Sequence, residues 1–390
     1  MVDRHLFILT VMLIGVGVLF AYSLSTYIVV LFNYNDFHFV IRQGVFALLS
    51  IVIIWALAQA NPDKVLQPLG FLLFFGSLFF MFAMPFLPTT LVSEVGGAKR
   101  WIKIAGFSLA PVEFFKVGFI YFLAWSFSRK MGHHAGMGLK NEFIRFFPYA
   151  LIFFIVALVI AVLQKDLGQV VVLSMTLLLL LMFAGSSYKF FLLILGTVLV
   201  AFVGLIVSAE HRINRILSWW SLAQKQLGPM LPDFVADKLY VESYSEPYQI
   251  SHALNAIHNG GIFGEGLANG TFKLGFLSEV HTDFVLAGIA EEFGFIGVLF
   301  VCMLFVMILQ RIFRIANRVQ NDVYYLFSIG VGLLLAFTFI INSFGISGLT
   351  PIKGISVPFL SYGGSAMLAA AVSIGMVLMI SKKVKVEEKS

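Results

Sequence analysis

Long apolar runs alternate with short polar connectors along almost the whole chain. Most of these runs are close to the roughly 20 residues that an α-helix needs to cross a bilayer. They cover residues 6–32, 39–60, 66–87, 112–127, 146–163, 170–184, 190–207, 284–309, 324–344 and 359–380. The pattern predicts an all-α, polytopic membrane protein with about ten transmembrane helices. An even number of crossings puts both termini on one side of the membrane.

Composition excludes a soluble globular domain. Of the 390 residues, 60% are hydrophobic, 12% are charged and 43 are Phe, which lies well outside the usual range. The first apolar run follows Asp3 and Arg4 and has no small-residue cleavage site after it. We therefore expect a retained first helix, not a removed signal peptide. The single Cys302 lies within a predicted span and leaves no internal disulfide.

Basic residues in the short connectors set the expected orientation. Residues 129–145 and 311–318 are rich in Lys and Arg, as short cytoplasmic loops usually are. We therefore place both termini in the cytoplasm. Lys99, Arg100 and Lys116 then lie on the outer side, against the usual asymmetry, which suits an anionic substrate at the outer surface.

One polar stretch stands out, the large extracytoplasmic loop at residues 208–281 between helices seven and eight. No fixed-period repeat divides the chain, so we read residues 1–390 as a single transmembrane domain that contains this loop. Residues 210–246 carry prolines and mixed charge and are expected at the surface. Residues 248–262 alternate apolar and polar positions and predict an amphipathic helix along the membrane surface. Trp219 and Trp220 fit an aromatic belt, with substrate stacking as the alternative.

The loop ends in His281, Thr282, Asp283 and Phe284, directly before the next apolar run. A carboxylate beside an apolar wall has its pKa raised towards neutrality and can act as a general base. The alternative is an ordinary helix N-terminus, where Asp is favoured. His281 is read as an orienting hydrogen-bonding residue, because no second His or Cys stands at metal-ligand spacing.

A basic segment, GGAKRWIK at residues 96–103, precedes the fourth run. Its two glycines allow a ligand to approach the backbone closely. Lys99, Arg100 and Lys103 beside Trp101 suit a phosphate that carries a sugar or lipid. The alternative is a solvated basic loop.

Glu113 and Lys116 share one face at the start of the fourth helix, which begins near Pro111. Such a pair contributes little at a surface and forms a paired polar site at membrane depth. Asp166, just after helix five, is expected to face the same outer cavity.

Two glycine-containing segments complete the candidate chemistry. The run at residues 260–266 lacks the Lys followed by Ser or Thr that closes a phosphate-binding loop, so a tight turn is predicted. Residues 351–365, which include Lys353 and Ser361, make an irregular entry into helix ten. Membranes tolerate such backbone where it lines protein or a wet cavity.

Six motifs follow one another along the chain: GGAKRWI, APVEFFK, QKDLG, YQISHALNAIHNGGIFGEGL, HTDFVLAGIAEEFGFIG and PIKGISVPFLSYGGS. Together and in this order they resemble the SEDS family (shape, elongation, division and sporulation), over nearly the whole chain. The resemblance implies ten transmembrane helices with cytoplasmic termini. It also implies an inverting peptidoglycan glycosyltransferase that polymerises lipid II at the outer face of the bacterial cytoplasmic (inner) membrane.

The resemblance assigns roles to single positions. Asp283 falls on the essential aspartate of the family and is the expected general base, while Glu113, Lys116 and Arg100 are expected to support it and to stabilise the leaving group. The residues expected to bind substrate are Lys99, Trp101, Lys103, Asp166, His281, Lys353 and Ser361.

The motifs also depart from the family pattern. Ala110 and Val112 replace the usual Gln and Ser, and Lys165 replaces a Pro, which leaves the polarity of the outer cavity open. Lys353 is typical of division-type members and favours septal wall synthesis during cell division.

Partners and cofactors follow from the same resemblance. It implies lipid II and undecaprenyl pyrophosphate as substrate and product, and a class B penicillin-binding protein transpeptidase and other divisome membrane proteins as partners. A divalent cation, Mg or Mn, is left open as a cofactor, and no metal ligands are assigned. The basic loops are short and separated by spans, so no nucleic acid is expected. Two other functions stay open: a lipid II flippase, and a scaffold for the transpeptidase.

Overall fold

The structure is a computed structural model that describes residues 2–95, 98–104, 107–130, 138–227, 240–241, 248–277, 279–351 and 354–384. The helices in these residues are α1 (Arg4–Ser23), α2 (Thr26–Leu31), α3 (His38–Gln59), α4 (Pro62–Ala83), α5 (Pro111–Lys130), α6 (Leu139–Leu158), α7 (Leu167–Phe183), α8 (Tyr188–Val207), α9 (Glu210–Leu227), α10 (Tyr248–Gly260), α11 (Val285–Ala316), α12 (Asp322–Ile346) and α13 (Gly364–Ser381). A 3₁₀ turn, Met84–Phe86, extends α4, and a π-helical turn, Val159–Leu163, extends α6.

Nine of the ten predicted apolar runs coincide with one helix each, and the first run covers both α1 and α2. Within the described residues, eight helical segments are long and apolar enough to cross a membrane, namely α1, α3, α4, α6, α8, α11, α12 and α13. The other two are α7, which is shorter, and α5, which carries charged residues at both ends. The all-α, polytopic prediction is confirmed, while the side of the membrane on which each loop lies stays a prediction.

Helix starts follow ordinary capping chemistry, because the first amides of a helix have no partner within it. The Asp3 carboxylate accepts a hydrogen bond from the amide of Leu6 at 2.9 Å, and Asn321 accepts from Val323 at 2.9 Å. Asp166 caps α7 in the same way. The polar residues in the short connectors therefore fix where the helices begin.

A small antiparallel sheet precedes α5 and was not predicted. Its strands are β1 (Val92–Val95), β2 (Ala98–Ile104) and β3 (Phe107–Leu109), in the order β1-β2-β3. Ile102 of β2 pairs with Val92 on one side and with Leu109 on the other. Residues 98–103 of the basic segment thus lie in the middle strand of a sheet, where side chains alternate between two faces.

Helix α11 is interrupted near its start. Gly294 has φ 64° and ψ −163°, a conformation that breaks the helical hydrogen-bond ladder. The glycine run supplies replacement partners, because the Glu265 amide donates to Glu291 O at 3.0 Å and the Phe295 amide donates to Gly261 O at 2.9 Å. The run is therefore more than the predicted tight turn, since it pairs along the broken helix.

Two adjacent carboxylates of α11 anchor the segment that leads towards Asp283. Buried Glu292 accepts hydrogen bonds from Lys273 Nζ at 2.6 Å and from Ser23 Oγ at 2.5 Å. Glu291 accepts from the Thr271 amide at 2.6 Å. Since these contacts are buried and paired, they hold residues 270–277 against α1 and α11.

Two helices lie in the described residues of the large loop. The amphipathic helix predicted over residues 248–262 is observed as α10, whereas α9 was not predicted. Trp219 of α9 donates from Nε1 to the carbonyl of Gly348 at 2.7 Å. The indole of Trp219 therefore fastens α9 to the connection after α12.

Candidate active site

Asp283 lies at the end of a turn, two residues before α11 begins. The amide of Asp283 donates to Glu279 O at 3.1 Å, and Asn342 Nδ2 donates to Asp283 O at 2.7 Å. The backbone is thus held from two sides. Within the described residues its carboxylate accepts no hydrogen bond, and its Oδ2 lies 2.6 Å from the position that a Cβ at residue 354 would take.

The surroundings of Asp283 raise the pKa of its carboxyl group. Burial raises the pKa of Asp283 to about 7, and the negative charges of Glu279 and Asp166 act in the same direction. The positive charge of Arg100 acts in the opposite direction. These interactions place Asp166 and Arg100 in the same electrostatic environment as Asp283, although they come from distant parts of the chain.

Arg100 reaches this site from β2. Its Nε donates to Gln164 O at 2.6 Å and its Nη2 donates to Lys165 O at 3.1 Å. These bonds join β2 to the turn before α7, where Asp166 lies. They also fix a permanent positive charge beside two carboxylates.

The other two cations of β2 lie on its opposite face, because strand side chains alternate. Lys99 Nζ donates to Leu87 O at 3.0 Å, and Lys103 Nζ donates to Thr89 O at 3.4 Å. Trp101 is half-buried, with its ring 6.0 Å from the guanidinium of Arg100. Of the three predicted cations, the structure brings Arg100 to Asp283 and directs Lys99 and Lys103 to the backbone after α4.

Asp166 is the N-cap of α7 and accepts a hydrogen bond from the Gln169 amide at 3.3 Å. Burial raises the pKa of its carboxyl, and the nearby Arg100 guanidinium opposes this rise. Glu113 and Lys116 also act on Asp166, in opposite directions. Asp166 therefore connects the surroundings of Asp283 with the start of α5.

Glu113, Lys116 and Gln169 form a closed triangle. Lys116 Nζ lies 2.8 Å from Glu113 Oε2 and donates to Gln169 Oε1 at 2.8 Å, and Gln169 Nε2 donates to Glu113 Oε1 at 3.1 Å. The Lys116 and Glu113 side chains are 5% and 17% exposed. Glu113 and Lys116 therefore form a largely buried ion pair, in which each charge is stabilised by the other.

A small cavity opens beside this triangle. Its volume is about 30 Å³, which is room for about two water molecules. The polar side chains in its wall are Glu113, Lys116, Thr338, Ser356 and Ser373. Water in this cavity can therefore reach the buried ion pair.

His281 and Ser361 shape the backbone next to Asp283. The imidazole of His281 is 7% exposed and packs against the ring of Phe39 at 5.3 Å. Burial lowers its pKa, although Glu279 opposes the shift. Its Nδ1 has no partner among the described residues, and the orienting hydrogen bond expected of His281 stays a prediction. Ser361 Oγ donates to Thr282 O at 2.6 Å and accepts from the Val357 amide at 2.7 Å.

Two further expectations concern Lys353 and a divalent cation. Lys353 falls outside the described residues. No group of three or more His, Cys, Asp and Glu that could hold a metal occurs in the described parts of the chain.

Sequence reasoning missed Asn342 and Gln169. The available signals were a single Asn in an apolar run and a Gln one turn after the Asp166 cap.

Comparisons place this geometry among known proteins. Residues 4–386 match the family described as cell cycle proteins, FtsW, RodA and SpoVE. The probable peptidoglycan glycosyltransferase FtsW of Helicobacter pylori is 50% identical over 384 residues, which are 98% of this chain and 99% of that protein. The protein of the same description from Geobacter sp. is 30% identical over 391 residues, 98% of this chain and 97% of that one.

Solved structures share the fold. The crystal structure of Thermus thermophilus rod shape determining protein RodA has a TM-score of 0.63 at 21% identity, over 99% of this chain and 98% of that chain. A chain from a study of structural coordination of polymerization and crosslinking by a peptidoglycan synthase complex has a TM-score of 0.69 at 22% identity. That match covers 98% of each chain.

Proposed function

The chain belongs to the family of cell cycle proteins that includes FtsW, RodA and SpoVE, and we propose from this premise that it is a peptidoglycan glycosyltransferase that polymerises lipid II. The two relatives described above are both named probable peptidoglycan glycosyltransferases. We place the reaction at the outer face of the bacterial inner membrane, where the lipid-linked disaccharide is presented.

The reaction needs a base for the attacking alcohol. The 4-hydroxyl oxygen of one lipid-linked disaccharide forms a bond to the anomeric carbon of another. The bond from that carbon to the pyrophosphate breaks, and the lipid pyrophosphate leaves with the electron pair. In our proposal the hydroxyl proton passes to the Asp283 carboxylate. The observation that carries this role is the partial burial of Asp283, which raises its pKa to about 7, in the range that suits a general base.

The leaving group needs positive charge. Arg100 is the strongest candidate, because its guanidinium lies in the electrostatic environment of Asp283 and donates to main-chain carbonyls of the turn before α7. Lys116 is paired with Glu113, so we assign this pair to support of the site around Asp166. Lys353 keeps its proposed role from the family resemblance. A single displacement without a covalent sugar intermediate inverts the anomeric configuration.

The biological setting is proposed on the relatives. The match to FtsW proteins at 50% identity supports a role in septal wall synthesis. The structural neighbour from a complex that couples polymerization with crosslinking supports a class B penicillin-binding protein as partner. Other divisome membrane proteins are proposed partners at the same place.

Purified protein and lipid II test the assignment. We expect Asp283→Asn to lower the rate of glycan-chain formation about 10²-fold to 10⁴-fold on a gel. Asp322→Asn, a carboxamide at the exposed start of α12, is the matched control and should polymerise like the wild type. Unchanged polymer from Asp283→Asn would remove the base assignment. Labelled lipid II that crosses vesicles without polymer formation would favour a flippase, and assays with and without Mg²⁺ or Mn²⁺ decide the cation requirement.

A further inference from the structure

Asn342 lies in the last turns of α12 and is 2% exposed. Its Nδ2 donates two hydrogen bonds to main-chain carbonyls, one to Asp283 O at 2.7 Å and one to Ile355 O at 2.7 Å. Its Oδ1 has no partner among the described residues. The side chain therefore acts as a double donor between two segments that are more than seventy residues apart.

These two segments meet at Asp283, which is half-buried. Gly354 directly precedes Ile355, and a Cβ at position 354 would come within 2.6 Å of Asp283 Oδ2. A second tie runs parallel to the first, since Ser361 Oγ donates to Thr282 O at 2.6 Å. Asn342 is the member of this arrangement that binds the backbone of Asp283 itself.

We propose that Asn342 is a positioning residue that holds the Asp283 carboxylate in its half-buried place beside the backbone of residues 354–355. The proposal rests on the function proposed above and assigns Asn342 no contact with substrate. Removal of the buried Asn342 donor leaves two carbonyls without donors, so the two segments separate and the carboxylate becomes more exposed to water.

Greater hydration of Asp283 should shift its pKa in a direction that can be measured. Burial is the largest cause of its raised pKa, and the charged groups that act on it in the described residues are Glu279, Asp166 and Arg100. These three keep their charges when Asn342 is replaced. A more hydrated Asp283 ionises at lower pH, so the acid limb of the pH-rate profile should move to lower pH. A purely structural role would lower the amount of active protein and leave the limb in place.

The test compares Asn342→Leu, which has similar volume and no donor, with wild type in lipid II polymerisation between about pH 5 and pH 9. Ser343→Ala is the matched control, because the Ser343 hydroxyl donates to Phe339 O in its own helix. We expect Asn342→Leu to lower kcat about 10-fold or more, to change KM for lipid II less than about threefold, and to move the acid limb down by about half a pH unit or more.

The outcomes separate this inference from the proposed function. Each profile is normalised to its own maximum, so a smaller yield of folded Asn342→Leu does not move the limb. Asn342→Ser, which keeps one donor, should fall between wild type and Asn342→Leu. An active wild type with an unmoved limb in Asn342→Leu rejects the role of Asn342 alone. A wild type that makes no polymer rejects the proposed function, and the inference with it.

Discussion

The carboxylate of Asp283 occupies the space that a side chain at Gly354 would need. A Cβ at position 354 would come within 2.6 Å of Asp283 Oδ2 and within 3.5 Å of its Cγ. Real Cβ atoms do not approach so closely, so a side chain at 354 and the present position of the carboxylate exclude each other. The absence of a side chain at position 354 is therefore part of what shapes the proposed base.

Gly354→Ala tests this contact directly. Gly354 is exposed, so the added methyl group should leave the fold intact and displace the carboxylate, which is the flexible partner. We expect polymerisation to fall about 10-fold to 100-fold, since a small misplacement of a reacting group is costly. The measurement is the initial rate of glycan-chain formation on purified protein with an unchanged unfolding temperature.

Gly363→Ala serves as the control for that substitution. Gly363 belongs to the same irregular segment and has open space around its Cβ position. Its φ of 167° is extended backbone that alanine adopts. Equal rates for Gly354→Ala and Gly363→Ala would show that the contact at position 354 does not matter.

Glu279 should set the pH range of the reaction through its charge. Its negative charge helps to raise the pKa of Asp283, so loss of that charge lowers the pKa. Asp283 must be ionised to act as a base, and the acid limb of kcat/KM in Glu279→Gln should therefore move to lower pH. Gln keeps an acceptor for the Thr282 hydroxyl, which donates to Glu279 Oε2 at 2.8 Å. Loss of the Glu279 charge also lowers the pKa of His281, which burial already lowers.

The pH profile of Glu265→Gln is the comparison for this experiment. Glu265 is exposed and loses the same charge, but it is not among the groups that shift the pKa of Asp283. Its profile should match that of the wild type. A limb that stays in place in Glu279→Gln, or moves equally in both variants, would separate Glu279 from the titration of Asp283.

The transmembrane architecture was predictable because a bilayer demands about 20 apolar residues per crossing. That demand is local, so all ten runs could be found without tertiary information. The sheet before α5 was missed because its strands have 4, 7 and 3 residues, too few for a period to show. Because the sheet was not predicted, the sequence also did not show that Arg100 lies on one face of β2 and Lys99 and Lys103 on the other.

The candidate site was predictable where charge marks it and hidden where a neutral side chain supports it. Asp283 and Asp166 are charged residues beside apolar runs and Arg100 belongs to the basic segment before α5, so sequence alone singled them out. Asn342 is one of several polar residues within apolar α12. The hydroxyl of Thr338, in the same helix, donates to the carbonyl of Leu334 one turn earlier. Sequence cannot separate these two cases, because the carbonyls that Asn342 binds come from segments brought close by folding.

The buried pair of Glu113 and Lys116 should show different effects on stability and on activity. Glu113→Gln and Lys116→Met each leave one buried charge without its partner, which should lower the free energy of unfolding by about 3 to 5 kcal/mol. The double variant leaves no unpaired charge and should recover part of that loss. If Lys116 also supports the reaction, as proposed, polymerisation by the double variant should stay as low as in Lys116→Met. The measurements are unfolding in detergent and initial rates on the same preparations.

The exposed pair of Asp63 and Lys383 provides the scale for this comparison. Its side chains are 52% and 44% exposed, so Lys383→Met should cost less than about 1 kcal/mol. A cost as small for Lys116→Met would mean that water screens the Glu113 pair in spite of its burial. Recovery of activity together with stability in the double variant would instead assign the pair a structural role alone. Loss of activity that persists after stability returns is the result that ties Lys116 to the reaction.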